Sequence, residues 1–323
     1  MRTIAVINQK GGVGKTTTVA SLGAAIASAG RDVCVIDLDP QAHLTLSLGV
    51  EPGTPKAGIY EVLTTSTPID QASVQVAEHL WLVPSVIDLA AAEVELVGAV
   101  GREQILRDQL LAMSQKRDYV MIDCPPSLGL LTLNALAAAD DVIIPLQPHF
   151  LALQGLGKLL ETISLVQRRI NTGLRVRGVI LCMYESATKL AAEVVADLRN
   201  FFDSARNTNV PWADAIIFES SIRRNIKLAE CPSYGKTIFD YEPKSNGACD
   251  YKTLSQEFFR MYDSAGLMPA PVAPAAPISP AEHQQQVLMP VHVPQAQASL
   301  PPIAPAHESV AEVIADHESQ IAN

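Results

Sequence analysis

The chain has 323 residues, 48% of them hydrophobic and 18% charged, with 24 Lys and Arg against 34 Asp and Glu for a net charge of −10. That length buries a sizeable core, as one large α/β domain or two smaller ones, and the acidic balance excludes a globally basic nucleic-acid coat. Five scattered cysteines with no C-x-x-C pair argue against a disulfide framework or a zinc ribbon and for reduced thiols in a cytoplasmic protein, and no apolar run reaches the ~18–20 residues of a signal-anchor or membrane span.

Apolar, β-branched runs at Thr3–Asn8, Asp32–Leu38, Leu80–Pro84, Tyr119–Cys124, Val142–Leu146, Val176–Met183 and Ala213–Phe218 read as strands. Helical stretches separate most of them, such as Lys15–Ala29, stopped by Gly30, and Leu153–Ile170. Near-continuous apolar strands need both sheet faces covered, so the expected fold is α/β, a doubly wound, mostly parallel sheet flanked by helices. Ligands of such sheets bind beyond the carboxyl ends of the strands, which directs attention to the loops after Asn8, Leu38 and Cys124. Composition breaks at Gly266. The last cation is Arg260, and Met268 to Asn323 holds 10 of the 22 prolines with five acidic residues and no Lys or Arg. A folded domain over residues 1–266 and a Pro-rich, acidic, disordered tail over 267–323 are therefore expected, with a short amphipathic helix conceivable at Glu308–Ile321. Charge is uneven in the folded part: residues 1–150 carry 9 basic and 16 acidic groups, residues 151–244 carry 13 and 10. A positive surface is thus expected on the second half.

The loop after the first strand reads Asn8-Gln9-Lys10-Gly11-Gly12-Val13-Gly14-Lys15-Thr16-Thr17. Its glycines let backbone N–H groups turn inward towards a polyphosphate, and the helix that follows adds unpaired N–H groups and a positive dipole end. Lys15 is placed to reach the β- and γ-phosphates and the Thr16 hydroxyl to coordinate Mg²⁺. The usual G-x-x-x-x-G-K-[ST] pattern is not met, because Gln9 stands at its first glycine and an extra lysine, Lys10, opens the loop. Spelled K-G-G-x-G-K-T, the loop closely resembles the deviant Walker A motif of ParA/MinD-class ATPases, a branch of the P-loop NTPases. The resemblance implies an ATP sandwich homodimer in which Lys10 crosses to the phosphates of the second subunit, while residues Lys10 to Thr17 hold nucleotide.

Two strands end in carboxylates. Asp37-Leu38-Asp39-Pro40-Gln41 sets two acids on one side of the strand end, where Pro40 stops the ladder. It resembles the switch region of the same family, which implies that Asp39 positions the attacking water and that Asp37 supports the loop or the magnesium shell. Tyr119-Val120-Met121-Ile122-Asp123 delivers a single carboxylate able to hold Mg²⁺ through water, the Walker B role. The resemblance thus implies a catalytic set of Asp39, Lys10 and Lys15 and a metal set of Thr16, Asp123 and Asp37, with ATP and Mg²⁺ as cofactors.

Further segments resemble ParA/Soj-type partition ATPases over residues 3–262: Leu82-Val83-Pro84-Ser85, Asp123 to Gly129, Thr132 to Leu136, Ile222 to Glu230 and Ser233 to Lys236. The resemblance implies slow ATP hydrolysis stimulated by a ParB-like, centromere-bound partner, and non-specific DNA binding in the ATP state, hence a nucleoid-associated protein of the cytoplasm. No helix-turn-helix domain precedes the first strand, so operator-specific autorepression is not expected. Arg223, Arg224 and Lys227 are expected on one helical turn as the DNA-binding cations. Asn225, with Arg223 beside it, is expected at the adenine. A second family arginine falls at Ala187, leaving Lys189 to supply that charge. The alternatives are an orphan ParA-like ATPase that positions a protein cargo and, with less support, a MinD-like membrane-recruited division regulator, whose basic C-terminal helix this acidic tail lacks. A reductase with an iron–sulfur cluster is a third, which Cys124 alone does not support.

Overall fold

The computed structural model describes residues 1–149, 152–185, 188–264 and 266. All belong to a compact unit spanning Met1–Ala273; the expected tail, its short helix and Ala187 lie outside the described residues. The strands are β1 (Arg2–Val6), β2 (Val33–Asp37), β3 (Val74–Ala77), β4 (Leu80–Val83), β5 (Tyr119–Asp123), β6 (Asp141–Leu146), β7 (Arg175–Tyr184), β8 (Ile216–Ile217) and β9 (Ile222–Arg223). The helices are α1 (Lys15–Ser28), α2 (His43–Ser47), α3 (Ile59–Thr64), α4 (Ile69–Ala72), α5 (Leu89–Glu95), α6 (Ile105–Ala112), α7 (Leu130–Ala138), α8 (Ala152–Arg169), α9 (Lys189–Ala205), α10 (Ile226–Glu230), α11 (Ile238–Tyr241) and α12 (Asn246–Ser264).

The sheet order is β3-β4-β2-β5-β1-β6-β7-β8, parallel except for the β3–β4 edge, with β9 pairing β7 off this path. This is the doubly wound sheet expected. Successive strand residues face opposite sides. Ala5, Cys34, Ile36, Val120 and Ile122 pack into one core with helices such as α6, α7 and α8. Ile4, Val6, Val33, Val35, Tyr119 and Met121 pack into the other with α1 and α12. Helix α1 comes close to the sheet at Gly23, where a Cβ would sit 3.0 Å from Val35 Cγ1.

This alternation aims the acids. Asp37 follows Val33 and Val35 on the α1 side of β2, and Asp123 follows Tyr119 and Met121 on the α1 side of β5. The two strands are in register, Asp37 opposite Asp123, and Val6 at the end of β1 is also opposite Asp123. The loop that leaves β1 and the first turn of α1 therefore meet both carboxylates at one edge of the sheet.

Three local expectations change. Edge strand β3 has no near-continuous apolar run; its residues alternate between partly covered and exposed, so it escaped a search for buried strands. The run Ala213–Phe218 contributes only Ile216 and Ile217 to the ladder. Arg223, Arg224 and Lys227 do not share a helical turn. Arg223 pairs Tyr184 at the end of β9, Arg224 lies in the connection, and α10 starts after Asn225. The reason is local chemistry: the Asn225 side chain accepts from Lys227 N at 2.8 Å as an N-cap, and Asp250 holds both the Arg223 backbone N and its guanidinium.

Candidate functional site

The loop between β1 and α1 is shaped by Asn8. Its Nδ2 donates to Pro145 O at 2.8 Å and its Oδ1 accepts from Lys10 N at 3.0 Å, fixing the entry of the loop against β6. Gly12 and Gly14 have φ of +71° and +94°, left-handed values that side-chain-bearing residues rarely adopt. A Cβ on Gly11 or Gly12 would meet nothing within 4 Å, so the space beside both glycines is open. Val13 and Lys15 are buried, Thr16 and Thr17 half-buried, and Lys10, Gly11 and Gly12 exposed. Lys15 Nζ donates to Lys10 O at 3.4 Å, so this ammonium folds back over its own loop. An anion seated there would meet backbone N–H groups, the start of α1 and the Lys15 charge together.

Asp37 is fully buried, yet every contact it makes ties down the next loop. Its Oδ2 accepts from Thr45 N and Oγ1 at 2.8 and 2.7 Å, and its Oδ1 accepts from Asp39 N at 3.2 Å. Thr45 Oγ1 in turn accepts from Ser85 N at 2.9 Å. Of the two roles expected for Asp37, the one visible in these contacts is loop support. Asp39 lies just beyond β2 rather than within it and accepts from Gln41 N at 3.0 Å, so the alternation expected to align it with Asp37 ends two residues too early. Its half-buried carboxylate stands at the turn instead.

Asp123 is different. It is 1% exposed, and neither carboxylate oxygen has a hydrogen-bond partner. Burial and the neighbouring Asp37 charge push its carboxyl well above the usual range, against the pull of Thr16 and Lys15. Burial likewise pushes Asp37 up to about 6, with the Thr45 hydrogen bonds opposing. Two in-register buried carboxylates, with the Lys15 charge acting on Asp123, leave a deficit of positive charge at this edge of the sheet. A divalent ion beside Thr16 fits that deficit. Among the described residues no group of three or more His, Cys, Asp or Glu is arranged to hold a metal alone, so such an ion would need oxygens from a ligand to complete its shell. Cys124, the next residue, is buried with its thiol raised by that burial, which leaves it unreactive.

The remaining predicted residues sit away from the two acids. Arg223 pairs with Asp250 at 2.6 Å, Arg224 with Glu185 at 2.9 Å, Lys227 with Glu230 at 2.8 Å, and Lys189, on the first turn of α9, with Glu193 at 3.8 Å. The β9–Asn225 segment is nevertheless near the phosphate loop: Cys182 of β7 pairs Ile222 and lies under Gly14, its Sγ 3.6 Å from where a Cβ would project. Sequence reasoning missed Thr45 and His149 and gave Ser85 no role of its own. Thr45 holds Asp37 from eight residues on, Ser85 reaches Thr45 from 40 residues away, and His149 meets Lys10 from beyond the end of β6, 139 residues away.

Comparison with known proteins agrees with this geometry. A family model described as an AAA domain matches residues 1–176. The chain is 43% identical over 255 residues to the sporulation initiation inhibitor protein Soj of Bacillus subtilis, covering 79% of this chain and 96% of that protein. It is 44% identical over 260 residues to the chromosome partitioning protein ParA of Myxococcus xanthus, covering 80% and 88%. A Mycobacterium smegmatis structure described as cobyrinic acid a,c-diamide synthase with bound ATP analogue and magnesium is 39% identical, with a TM-score of 0.69 over 84% of this chain and 99% of that one.

Proposed function

The chain belongs to the ParA/Soj family of chromosome-partitioning ATPases, and from that premise we propose that it is an ATP- and Mg²⁺-dependent dimerising switch that binds DNA without sequence preference in its ATP state. The observation that carries the reading is Asp123: a buried carboxylate with no partner, in register with Asp37 and beside an open glycine loop. The loop amides and Lys15 would hold the phosphates, and Thr16 with Asp123, directly or through water, the metal. A bound Mg²⁺ would neutralise charge on the phosphates. Asp39, at the turn, orients the attacking water and accepts its proton. Asp37 acts one step removed, holding the Asp39 loop through its own carboxylate. Lys10, exposed at the mouth of the loop, reaches the phosphates of the second subunit, so the closed dimer depends on ATP.

Hydrolysis then times release. A ParB-like partner that speeds it would return the protein to a monomer with no grip on DNA. Each DNA-facing cation, Arg223, Arg224, Lys227 and Lys189, is held by a carboxylate of its own chain. The pairs of Arg224, Lys227 and Lys189 lie at the surface, where water and salt screen them, so a phosphate backbone can displace them and the resulting binding should be weak and salt-sensitive, while Arg223 stays tied to the buried Asp250. Among the described residues no helix is long and apolar enough to cross a membrane.

The test is DNA binding by the purified protein with no nucleotide, ADP or ATP, at low and moderate salt, beside Lys10→Ala. Binding confined to ATP, lost in the variant and weakened by salt, is expected. ATP-driven dimerisation without DNA binding would overturn the DNA part and favour an ATPase that positions a protein cargo.

A further inference from the structure

The dimer just described requires Lys10 to leave its own subunit, and the structure shows what it leaves. Lys10 Nζ lies 2.6 Å from His149 Nε2. We propose that His149 is a positioning residue that holds Lys10 on its own subunit until the ATP dimer closes. This rests on the role given to Lys10 above.

An ammonium has three donors and no acceptor, so the contact requires a lone pair on Nε2 and hence a neutral imidazole protonated at Nδ1. Burial and the Lys10 charge both hold the His149 ring below its ordinary pKa, in keeping with that state. Beneath the pair lies a cavity of about 250 Å³ whose walls include Asn8, Gln9, Val13, Leu146 and Gln147. Among the described residues no carboxylate lines it. The grip on Lys10 is therefore one hydrogen bond from a neutral acceptor, weaker than a carboxylate would give. A latch that must open on every cycle needs that weakness. The backbone side is prepared as well, since Asn8 holds Lys10 N and leaves only the side chain to swing.

If the contact is a latch, the dimer-competent fraction of each subunit is reduced by it, and the apparent dissociation constant rises in proportion. A single exposed charge-to-neutral hydrogen bond corresponds to about fivefold per subunit, and to roughly twentyfold when both subunits must open. The experiment is sedimentation or light scattering against protein concentration, with Mg²⁺ and a slowly hydrolysed ATP analogue. Wild type is compared with His149→Leu, His149→Gln, Lys10→Ala and the double variant His149→Leu/Lys10→Ala. His149→Leu should dimerise at a protein concentration about five- to twentyfold lower. His149→Gln keeps an acceptor and should follow wild type. Both chains that lack Lys10 should stay monomeric. If His149→Leu dimerises no better than wild type while Lys10→Ala does not dimerise, the latch is wrong and the dimer reading stands. If Lys10→Ala dimerises like wild type, the role of Lys10 fails and the latch with it. An equal gain in His149→Gln overturns the proposal too, because it assigns the effect to ring bulk rather than to the acceptor.

Discussion

Asp123→Asn should make the nucleotide-free protein more stable and the loaded protein inert. Neighbouring parallel strands are about 4.8 Å apart, and Asp37 and Asp123 are opposite one another and buried. Two like charges at ~5 Å and an effective dielectric of ~20 repel by about 3 kcal/mol. The asparagine removes that repulsion and brings an amide able to donate towards Asp37, while its other polar atoms remain buried without partners, at a cost of about 1 kcal/mol or more. The net gain is about 2 kcal/mol, equivalent to about 4–8 °C in Tm for a domain of this size. The pH dependence follows from the raised carboxyls. In the folded chain Asp37 sits at about 6, and burial with the neighbouring Asp37 charge holds Asp123 well above the usual carboxyl range, against ~3.9 unfolded. The folded state therefore binds more protons, and wild-type stability is fully present below pH ~4 and falls as pH rises through about 6 and beyond. The advantage of the variant should be largest at pH 7.5 and shrink by pH 5. Thermal unfolding in chelator at both pH values reads this directly. Adding Mg²⁺ and ATP should raise the Tm of wild type at pH 7.5 and leave the variant nearly unmoved, with hydrolysis lost. A variant that melts at or below wild type in chelator at pH 7.5, or an advantage that does not change with pH, would refute the argument that these acids are held together at a cost a bound cation would offset.

Arg224→Ala/Lys227→Ala should retain nucleotide-dependent dimerisation, since neither residue touches the phosphate loop, but lose most DNA affinity. In a fluorescence anisotropy titration its log–log salt slope should be shallower by roughly 2 per subunit removed from contact; an unchanged slope would place the DNA surface elsewhere. At the opposite end of the sheet, Asp141 is fully buried and accepts from Arg2, Arg177 and Tyr262. Asp141→Ala strands two guanidinium groups and should cost about 3–5 kcal/mol. Chemical denaturation would show this as a lower midpoint, while nucleotide binding by the fraction still folded should be unchanged.

How far the sequence carried this picture depended on whether a residue's role is written within a few positions of itself. The strand–loop–helix around Lys15 was legible because the glycines mark a turn between an apolar strand and a helix within a few residues, and the structure has β1, the glycine turn and α1 in that order. The apolar runs that became β1, β2, β5 and β6 were legible for a related reason: burial on two faces leaves no room for a polar residue until the strand ends, so Asp37 and Asp123 stand out. Their pairing was not legible, because register between β2 and β5 is set by the packing of everything between residues 37 and 119. The shared helical turn expected for the basic cluster failed for the opposite reason. Cation spacing near Arg223 matches a helical turn, but Asp250, 27 residues away, competes for both the backbone and the side chain of Arg223 and draws it into a strand. The same holds for Lys10. Its neighbours show that it opens the loop, while its resting partner, His149, comes from 139 residues further along the chain. Motifs thus announce where phosphate chemistry can occur. What keeps that chemistry waiting, whether an unpaired carboxylate or a lysine held at home, is written in contacts between distant segments, and those are the places where this chain can differ from its relatives without altering a single motif.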